Sequence, residues 1–267
     1  MKIHPTALID PKARLGDGVE IGPYSCIGAE VEIGPGTIVH SHVVLEGTVR
    51  LGAENQIGPG AIIGGFPQDL SFQPGTPSAV EIGDRNIIRE HVTIHRGTAA
   101  GSATTIGHDN FLMAGAHLGH NCAVGNKVII ANNCLLGGQV AVGDGAFLGG
   151  GCVFHQFMRV GRLAITQGTS GFGKDLPPFV AGAGVNRVVG LNVVGLRRAG
   201  FDAEERAEIK TAFALLYESG LNVSQALAQA RERTWRAPAQ EFFDFVAGAK
   251  RRGICGLRRR REPGGEE

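Results

Sequence analysis

The residues of this chain best suited to chemistry are a histidine, a glycine and an amide placed at one constant interval. His120, Gly138 and Gln156 follow one another at equal spacing, and His117 and His155 lie beside this series. A neutral imidazole with an ordinary pKa of about 6.5 can take a proton from a hydroxyl that attacks a thioester. A backbone N–H one turn away can donate to the resulting oxyanion. If the fold stacks these residues, they predict acyl transfer with His120 as general base and Gly138 as oxyanion donor.

A six-residue repeat predicts a fold that would stack them. Every sixth residue from Ile3 to Ile63 is aliphatic, and the phase resumes at Ile82 and runs with one miss to Val160. A period of six fits neither an α-helix nor a flat strand. Glycine, which often follows the aliphatic residue, supplies tight corners between short strands. Three hexads, the interval from His120 to Gly138, then make one triangular coil, and coils stack as parallel strands do. We therefore predict a mainly β fold, a parallel β-helix over residues 1–186.

Two segments, 64–80 and 97–105, fall outside the repeat. Long loops in a compact fold are usually functional, so we expect both to contribute to a site.

The pattern becomes helical towards the end of the chain. Asp202 is an N-cap candidate with glutamate three residues later, which predicts a helix up to Ser219. Helices are also predicted over 223–234 and 239–250, separated near Pro238, with a shorter one around 190–199. We assign residues 187–267 to a small C-terminal α-helical domain.

Composition excludes several classes of protein. The chain has five cysteines, an odd number, and no two of them form a Cys-x-x-Cys pair. This pattern is typical of neither a disulfide-stabilised protein nor a zinc ribbon. Cys122, Cys134 and Cys152 occupy small stacking positions of the repeat and are expected in the core. A net charge of +1 argues against nucleic-acid binding by the whole chain. The sequence lacks a membrane-spanning apolar run and an apolar signal segment, so a cytoplasmic location is predicted.

Six segments of the sequence resemble one known family. These segments are Gln68-Asp69-Leu70, Ile94-His95-Arg96-Gly97-Thr98, Ala116-His117-Leu118-Gly119-His120-Asn121-Cys122, Ala131-Asn132-Asn133, His155-Gln156-Phe157 and Asp175-Leu176-Pro177-Pro178. They resemble the UDP-N-acetylglucosamine 3-O-acyltransferases, which open lipid A synthesis, and the resemblance covers nearly the whole chain. It implies that the β-helix is left-handed and that three copies form a trimer with each active site between two subunits.

The resemblance also implies roles for individual residues. His120 matches the family's general base and Gly138 its oxyanion glycine, and no cofactor or metal is implied. The implied contacts to the nucleotide sugar within one subunit come from Gln68, Asp69, His95, His117, His155 and Gln156. Asn192 and Arg198 match positions that contact the nucleotide from a neighbouring subunit. Gly168 matches the position that limits acyl-chain length, where glycine leaves the groove open for a long chain.

The implied substrates are UDP-N-acetylglucosamine, or a close analogue, and a 3-hydroxyacyl chain on acyl carrier protein. A basic cluster in the tail could dock that acidic carrier, because charge complementarity speeds association. The cluster consists of Lys250, Arg251, Arg252, Arg258, Arg259, Arg260 and Arg261.

Three departures from the family pattern leave the acceptor sugar open. Asn121 stands where the family commonly has aspartate, Gln139 where a histidine is frequent, and Ser71 where a lysine is frequent. One alternative is therefore the same reaction on a 3-amino analogue of the nucleotide sugar. Another is the sister UDP-3-O-acylglucosamine N-acyltransferase, whose usual additional N-terminal domain has no counterpart here, since the hexads begin at Ile3.

Two alternatives belong to other functional classes. One is a metal-dependent hydratase on the same fold, with His117, His120 and His155 as zinc ligands. The other is a non-catalytic β-helix that only binds a partner and would not need the series of His120, Gly138 and Gln156.

Overall fold

Three sheets of mainly parallel strands wind into a triangular prism in the computed structural model of this protein, which describes residues 1–250 and 252–257. Lys2 pairs with Glu20 and Glu20 pairs with Ile38, so each coil consists of three hexads. The fold is a left-handed parallel β-helix, and the predicted fold class is confirmed. No helix in these described ranges is long and apolar enough to cross a membrane.

Each face of the prism is one sheet of short strands. Within the described residues, sheet 1 contains Lys2–Ile3, Glu20–Ile21, Ile38–Val39, Gln56–Ile57, Ile87–Ile88, Phe111–Leu112, Ile129–Ile130, Phe147–Leu148, Ile165–Thr166, Val180–Ala183, Arg187–Leu191 and Gly256–Leu257. Sheet 2 contains Leu8–Ile9, Cys26–Ile27, Val44–Leu45, Ile62–Gly65, Thr93–His95, His117–Leu118, Leu135–Leu136, Val153–Phe154 and Gly171–Phe172. Sheet 3 contains Arg14–Leu15, Val31–Ile33, Thr48–Leu51, Ala79–Ile82, Ala103–Ile106, Ala123–Val124, Ala141–Val142 and Arg159–Val160.

The six-residue repeat explains the strand geometry. In a two-residue strand the first side chain points outward and the second points into the prism, because successive residues face opposite sides of a sheet. Ile57, Ile88 and Leu118 are second residues of this kind and are fully buried. We name the three corners by the sheets that they join: corner 1–2, corner 2–3 and corner 3–1.

Both loops that interrupt the repeat leave the prism at corner 2–3. The first is the segment 66–78 between the strands Ile62–Gly65 and Ala79–Ile82, and the second is the segment 96–102. They are shorter than the predicted 64–80 and 97–105 because the outer residues of the first loop and the last three of the second join the strands. The two loops therefore lie at one corner, which marks that corner as a candidate site.

The core of the prism is apolar and contains one polar ladder. Cys122, Cys134 and Cys152 are fully buried, as predicted, and burial raises the pKa of the Cys122 thiol to about 12. The ladder consists of three buried asparagines in consecutive coils, Asn55, Asn86 and Asn110.

The helices differ from the prediction mainly at their ends. They are α1 (Val193–Arg198), α2 (Ala203–Tyr217), α3 (Val223–Ala230) and α4 (Ala237–Ala247). The predicted capping box is present, since Asp202 accepts from the backbone of Glu205 and the Glu205 side chain accepts in return. Pro238 was expected to separate two helices, but it lies in the first turn of α4, where a missing N–H costs nothing.

The residues after 186 begin with a strand rather than a helix. Arg187–Leu191 runs antiparallel to Val180–Ala183, and Gly256–Leu257 pairs with it in turn, so both extend sheet 1. Helix α4 packs on the last coil, where Arg162 forms an ion pair with Glu241 at 2.7 Å. The division at residue 187 stays a prediction.

Candidate active site

The series His120, Gly138 and Gln156 forms a column on corner 2–3. The N–H of Gln139 donates to the His120 carbonyl at 2.8 Å, and the N–H of Phe157 donates to the Gly138 carbonyl at 3.0 Å. Each coil is therefore held directly on the next at this corner. The residue after each column member has a left-handed backbone, such as Asn121 with φ 58°. This turn leaves the side chains of His120 and Gln156 outside the prism.

Hydrogen bonds determine which nitrogen of His120 is free. The backbone N–H and the hydroxyl of Thr98 both lie within 3.1 Å of one side-chain atom of Asn121. A backbone N–H can only donate, so this atom is the amide oxygen. The same oxygen lies 3.0 Å from His120 Nδ1, which must then carry the proton. In the neutral imidazole, Nε2 is then the acceptor, which is the form that a general base requires.

Gly138 lies directly against the imidazole of His120. A Cβ atom at this position would overlap Nε2, Cε1 and Cδ2 of the ring, so any side chain here would displace the imidazole. The Gly138 N–H donates to no other group in the described chain. A free N–H beside an unprotonated Nε2 can stabilise an oxyanion while the base holds a proton.

His95 and His117 form a second histidine pair beside the column. Their rings lie 5.2 Å apart edge to face, and His117 Nδ1 is 2.8 Å from Thr93 Oγ1. Burial, followed by the charge of His95, lowers the pKa of His117. His95 Nδ1–H donates to the carbonyl of Phe66, which connects this pair to the first loop.

The first loop brings Gln68 and Asp69 to the same corner. The Asp69 carboxylate accepts from the hydroxyl of Ser71 at 2.7 Å and from its N–H at 2.9 Å. These bonds lower the pKa of Asp69, and His120 would lower it further when it is protonated. Asp69 is therefore an anion within electrostatic reach of the candidate base, and Gln68 beside it is exposed.

His155 and Gln156 lie exposed at the lower end of the column. The guanidinium of Arg252 donates to Nδ1 of His155. The sequence placed Arg252 in a carrier-docking cluster and did not connect it with the site. It lies 97 residues from His155, so no spacing rule could have found the contact.

Three predicted site residues lie on other corners of the same chain. Asn192 caps α1 through Gly195 N–H and donates to the Leu163 carbonyl on corner 3–1, both at 2.9 Å, and Arg198 is exposed in the last turn of α1. Gly168 follows the strand Ile165–Thr166 and lies on corner 1–2. An acyl chain bound at Gly138 therefore cannot reach Gly168 by following one corner, because one and two-thirds coils end on a different corner.

The metal-hydratase alternative finds no geometric support. In residues 1–250 and 252–257, no three His, Cys, Asp or Glu side chains converge in a way that could hold a metal ion. His117, His120 and His155 each have separate hydrogen-bond partners instead.

Comparison with known proteins assigns the family. A family model described as "Udp N-acetylglucosamine O-acyltransferase; Domain 2" matches residues 175–255, and one described as "Bacterial transferase hexapeptide (six repeats)" matches residues 103–138. The acyl-[acyl-carrier-protein]--UDP-N-acetylglucosamine O-acyltransferase of Halorhodospira halophila is 46% identical over 94% of this chain and 98% of its own. The chain belongs to the UDP-N-acetylglucosamine O-acyltransferase family.

Solved structures agree with this UDP-N-acetylglucosamine O-acyltransferase assignment. The Francisella novicida UDP-N-acetylglucosamine acyltransferase is 37% identical with a TM-score of 0.90, over 96% of this chain and 94% of that one. The Campylobacter jejuni enzyme is 34% identical with a TM-score of 0.90, over 96% and 100% of the two chains. The similarity therefore extends over the solenoid, both loops and the helical part of this acyltransferase.

Proposed function

We propose that this enzyme transfers a 3-hydroxyacyl chain from acyl carrier protein to the 3-hydroxyl of UDP-N-acetylglucosamine, the first step of lipid A synthesis. The observation that carries the proposal is the contact between His120 and Gly138, which pairs a free Nε2 with a free backbone N–H. The name of the Halorhodospira halophila relative supports the two substrates.

The reaction follows from these two groups. His120 Nε2 takes the proton of the acceptor hydroxyl as that oxygen attacks the thioester carbonyl carbon. The Gly138 N–H donates to the oxyanion of the tetrahedral intermediate. Collapse of the intermediate breaks the C–S bond, and the proton on His120 passes to the departing thiolate. Asn121 holds Nδ1–H throughout, so that the imidazole keeps its orientation.

The acceptor is expected to bind across corner 2–3. Asp69 and Gln68 lie on the loop above the column, His95 and His117 lie beside it, and His155 and Gln156 lie below it. This arrangement could orient a sugar hydroxyl towards His120 Nε2. An acceptor with a 3-amino group would meet the same base, so the 3-amino sugar remains the second candidate. Asn121 favours neither acceptor, because its oxygen is already occupied by His120 and Thr98.

A trimer would complete the site, and the outer faces of the prism support one. Sheet 3 has a ladder of exposed ion pairs, in which Arg50 contacts both Glu32 and Glu81. Sheet 1 has an apolar outer stripe over the middle coils, made of Ile87, Phe111, Ile129, Phe147 and Ile165. Sheet 2 exposes Leu135 and Val153. Contact between sheet 1 of one subunit and sheet 2 of the next would cover both apolar surfaces.

Such packing determines which corners meet. Corners 1–2 would point towards the threefold axis, and each outer groove would lie between corner 2–3 of one subunit and corner 3–1 of the next. Asn192 and Arg198 would then reach the neighbouring site from corner 3–1, as the family resemblance implies. An acyl chain that runs inward along the interface would approach Gly168 at corner 1–2.

The carrier-docking proposal depends on a basic surface that is only partly described. Arg251 and the run Arg258, Arg259, Arg260 and Arg261 lie outside the described residues, whereas Lys250 and Arg252 are exposed. Arg252 contacts His155, so the basic tail begins at the edge of the candidate site.

A cytoplasmic location stays a prediction.

A product assay tests the proposal. The purified protein is incubated with UDP-N-acetylglucosamine or its 3-amino analogue and a panel of 3-hydroxyacyl carrier thioesters, and products are identified by mass. We expect ester formation at the 3-position, and about 10²–10⁴-fold slower turnover for His120→Ala with nucleotide-sugar binding retained. Amide formation alone would select the 3-amino acceptor. Turnover of His120→Ala at the wild-type rate would refute the general-base assignment.

A further inference from the structure

Arg96 is a buried cation that has no counter-ion among the residues that the structure describes. Its exposed fraction is only 8%, and its Nε is buried without a hydrogen-bond partner. Within residues 1–250 and 252–257, its guanidinium forms neither a salt bridge nor a side-chain hydrogen bond. A buried charge is costly unless something compensates it, so this arginine requires a reason for its position.

Two aromatic rings provide partial compensation. The guanidinium carbon lies 4.6 Å from the ring centre of Phe66 and 5.7 Å from that of Phe72, within the range of cation–π attraction. The centres of the two rings lie 5.6 Å apart. Arginine suits this position better than lysine, because its flat guanidinium can contact a ring over its whole surface.

The two rings lie at opposite ends of the short segment that presents the predicted acceptor contacts. Gln68 and Asp69 stand between Phe66 and Phe72, and Leu70 at the tip is fully exposed. The Phe72 N–H donates to the Asp69 carbonyl at 3.0 Å and closes the turn. A single guanidinium that contacts both rings therefore restrains both ends of this segment.

The backbone of Arg96 lies on the same corner as the column of His120, Gly138 and Gln156. Ile94 pairs with Leu118, so Arg96 lies one coil above His120. Its N–H donates to the Gly65 carbonyl at 3.2 Å, and a Cβ at Gly47 would overlap its Nη1, so that glycine leaves space for the guanidinium.

We infer that Arg96 is a positioning residue that holds the segment 66–72 over His120 through its contacts with Phe66 and Phe72. The inference rests on the proposed function, because the segment matters only if Gln68 and Asp69 bind the acceptor. Because Arg96 is buried, we assign it a positioning role and not a contact with substrate. Arg96 increases the fraction of enzyme molecules in which Asp69 and His120 can face the same acceptor. If this fraction falls, the apparent affinity for the acceptor falls in proportion.

Hydrogen exchange tests the structural part without any substrate. The amides of Ser71 and Phe72 are hydrogen-bonded within the segment and should be protected in the wild type. Arg96→Met should increase their exchange, whereas the amides of sheet 3 should keep their protection. Arg14→Met is the matched control, since this exposed arginine pairs with Glu32 on the outer face of sheet 3, away from the proposed subunit interface. Unchanged exchange of Ser71 and Phe72 in Arg96→Met would overturn the inference.

Steady-state kinetics test the functional part. Arg96→Met should raise the KM for UDP-N-acetylglucosamine about tenfold, as expected for the loss of desolvated cation–π contacts, and leave kcat and the KM for the acyl donor unchanged. Arg96→Lys should recover only part of the loss. A fall in kcat with both KM values raised and a lower unfolding midpoint would show a merely structural role and refute the inference.

A second variant covers the case in which Arg96→Met does not fold. Phe72→Leu keeps the apolar contact but removes one aromatic ring, and it should change the same KM in the same direction. An unchanged KM in a folded Phe72→Leu would count against the inference. Wild-type enzyme that neither binds nor acylates UDP-N-acetylglucosamine would refute the proposed function instead, and the exchange experiment would still decide what Arg96 does.

Discussion

At the scale of single residues, Gly138 has no room for a side chain, because the imidazole of His120 occupies that space. Gly138→Ala should push the imidazole away from its position, since the new Cβ would overlap Nε2. We expect a loss of turnover of about 10²-fold or more, because both the base and the oxyanion donor move. Measured kcat, together with the thermal midpoint, checks this.

Gly171→Ala is a suitable control for this substitution. A Cβ there would meet Val153 Cγ2 at 3.6 Å, which is an ordinary contact. It should therefore leave turnover unchanged. If Gly138→Ala retained the wild-type kcat, the contact between Gly138 and His120 would not be part of the mechanism.

His117 is the residue whose protonation should couple to folding. Its pKa is lowered in the folded protein by burial and by His95. Between the lowered folded value and the unfolded value of about 6.5, the unfolded chain binds more protons, so stability falls as pH falls through this window.

His117→Gln should therefore reduce the loss of stability between pH 8 and pH 5. Urea unfolding midpoints at the two pH values measure the effect. His4→Gln, at an exposed histidine of the first coil, should keep the wild-type pH dependence. The same pH dependence in His117→Gln and wild type would contradict the assignment.

At the scale of elements, the asparagine ladder joins three coils inside the prism. Asn55 Oδ1 accepts from the N–H and Nδ2 of Asn86, and Asn86 Oδ1 accepts in the same way from Asn110, all at 2.9–3.0 Å. Each side-chain oxygen thereby accepts from a backbone N–H at the corner that would otherwise lack a hydrogen-bond partner. The ladder connects the coils on both sides of each loop, where the paired strands lie farther apart in the sequence than three hexads.

Asn86→Ala should destabilise the protein by about 3 kcal/mol, because Asn55 and Asn110 both lose buried partners. Chemical denaturation measures this cost. Asn126→Ala is the control, since that half-buried asparagine lies on corner 3–1, where its side chain hydrogen-bonds to the N–H of His108 and to Asp144. Equal costs for the two variants would show that the buried ladder has no special contribution.

At the scale of the whole molecule, the apolar stripe on sheet 1 should form a subunit interface. Phe147→Glu places a charge in the middle of this stripe and should yield monomers with little activity. Ala123→Glu places the same charge on the outer face of sheet 3 and should leave a trimer. Sedimentation velocity distinguishes the species. A Phe147→Glu protein that sediments as a trimer, or a fully active wild-type monomer, would contradict the proposed packing.

A shared site can be tested by complementation between subunits. His120→Ala should inactivate corner 2–3, and Arg198→Ala should weaken corner 3–1. If each site uses one corner from each of two subunits, mixed trimers should contain some intact sites and recover part of the activity. No recovery in confirmed mixed trimers would place both residues in the same site of one subunit.

The sequence by itself determined the repeating architecture and the column of His120, Gly138 and Gln156. An apolar residue at every sixth position determines strand length, coil length and the stacking of His120, Gly138 and Gln156, because each depends only on local backbone geometry. The buried cysteines and the capping box at Asp202 follow from the same short-range rules.

Only the tertiary structure decided which distant groups meet. Arg96 beneath Phe66 and Phe72, and Arg252 on His155, depend on the path of a loop and of the tail, which no period specifies. The reversed strand Arg187–Leu191 likewise pairs with sheet 1 through long-range contacts. Gly168 and Gly138 lie on different corners of the prism, so whether one acyl chain can reach both depends on how the subunits pack. Such contacts depend on side chains that converge from separate coils, and their energy is gained only once the prism has formed.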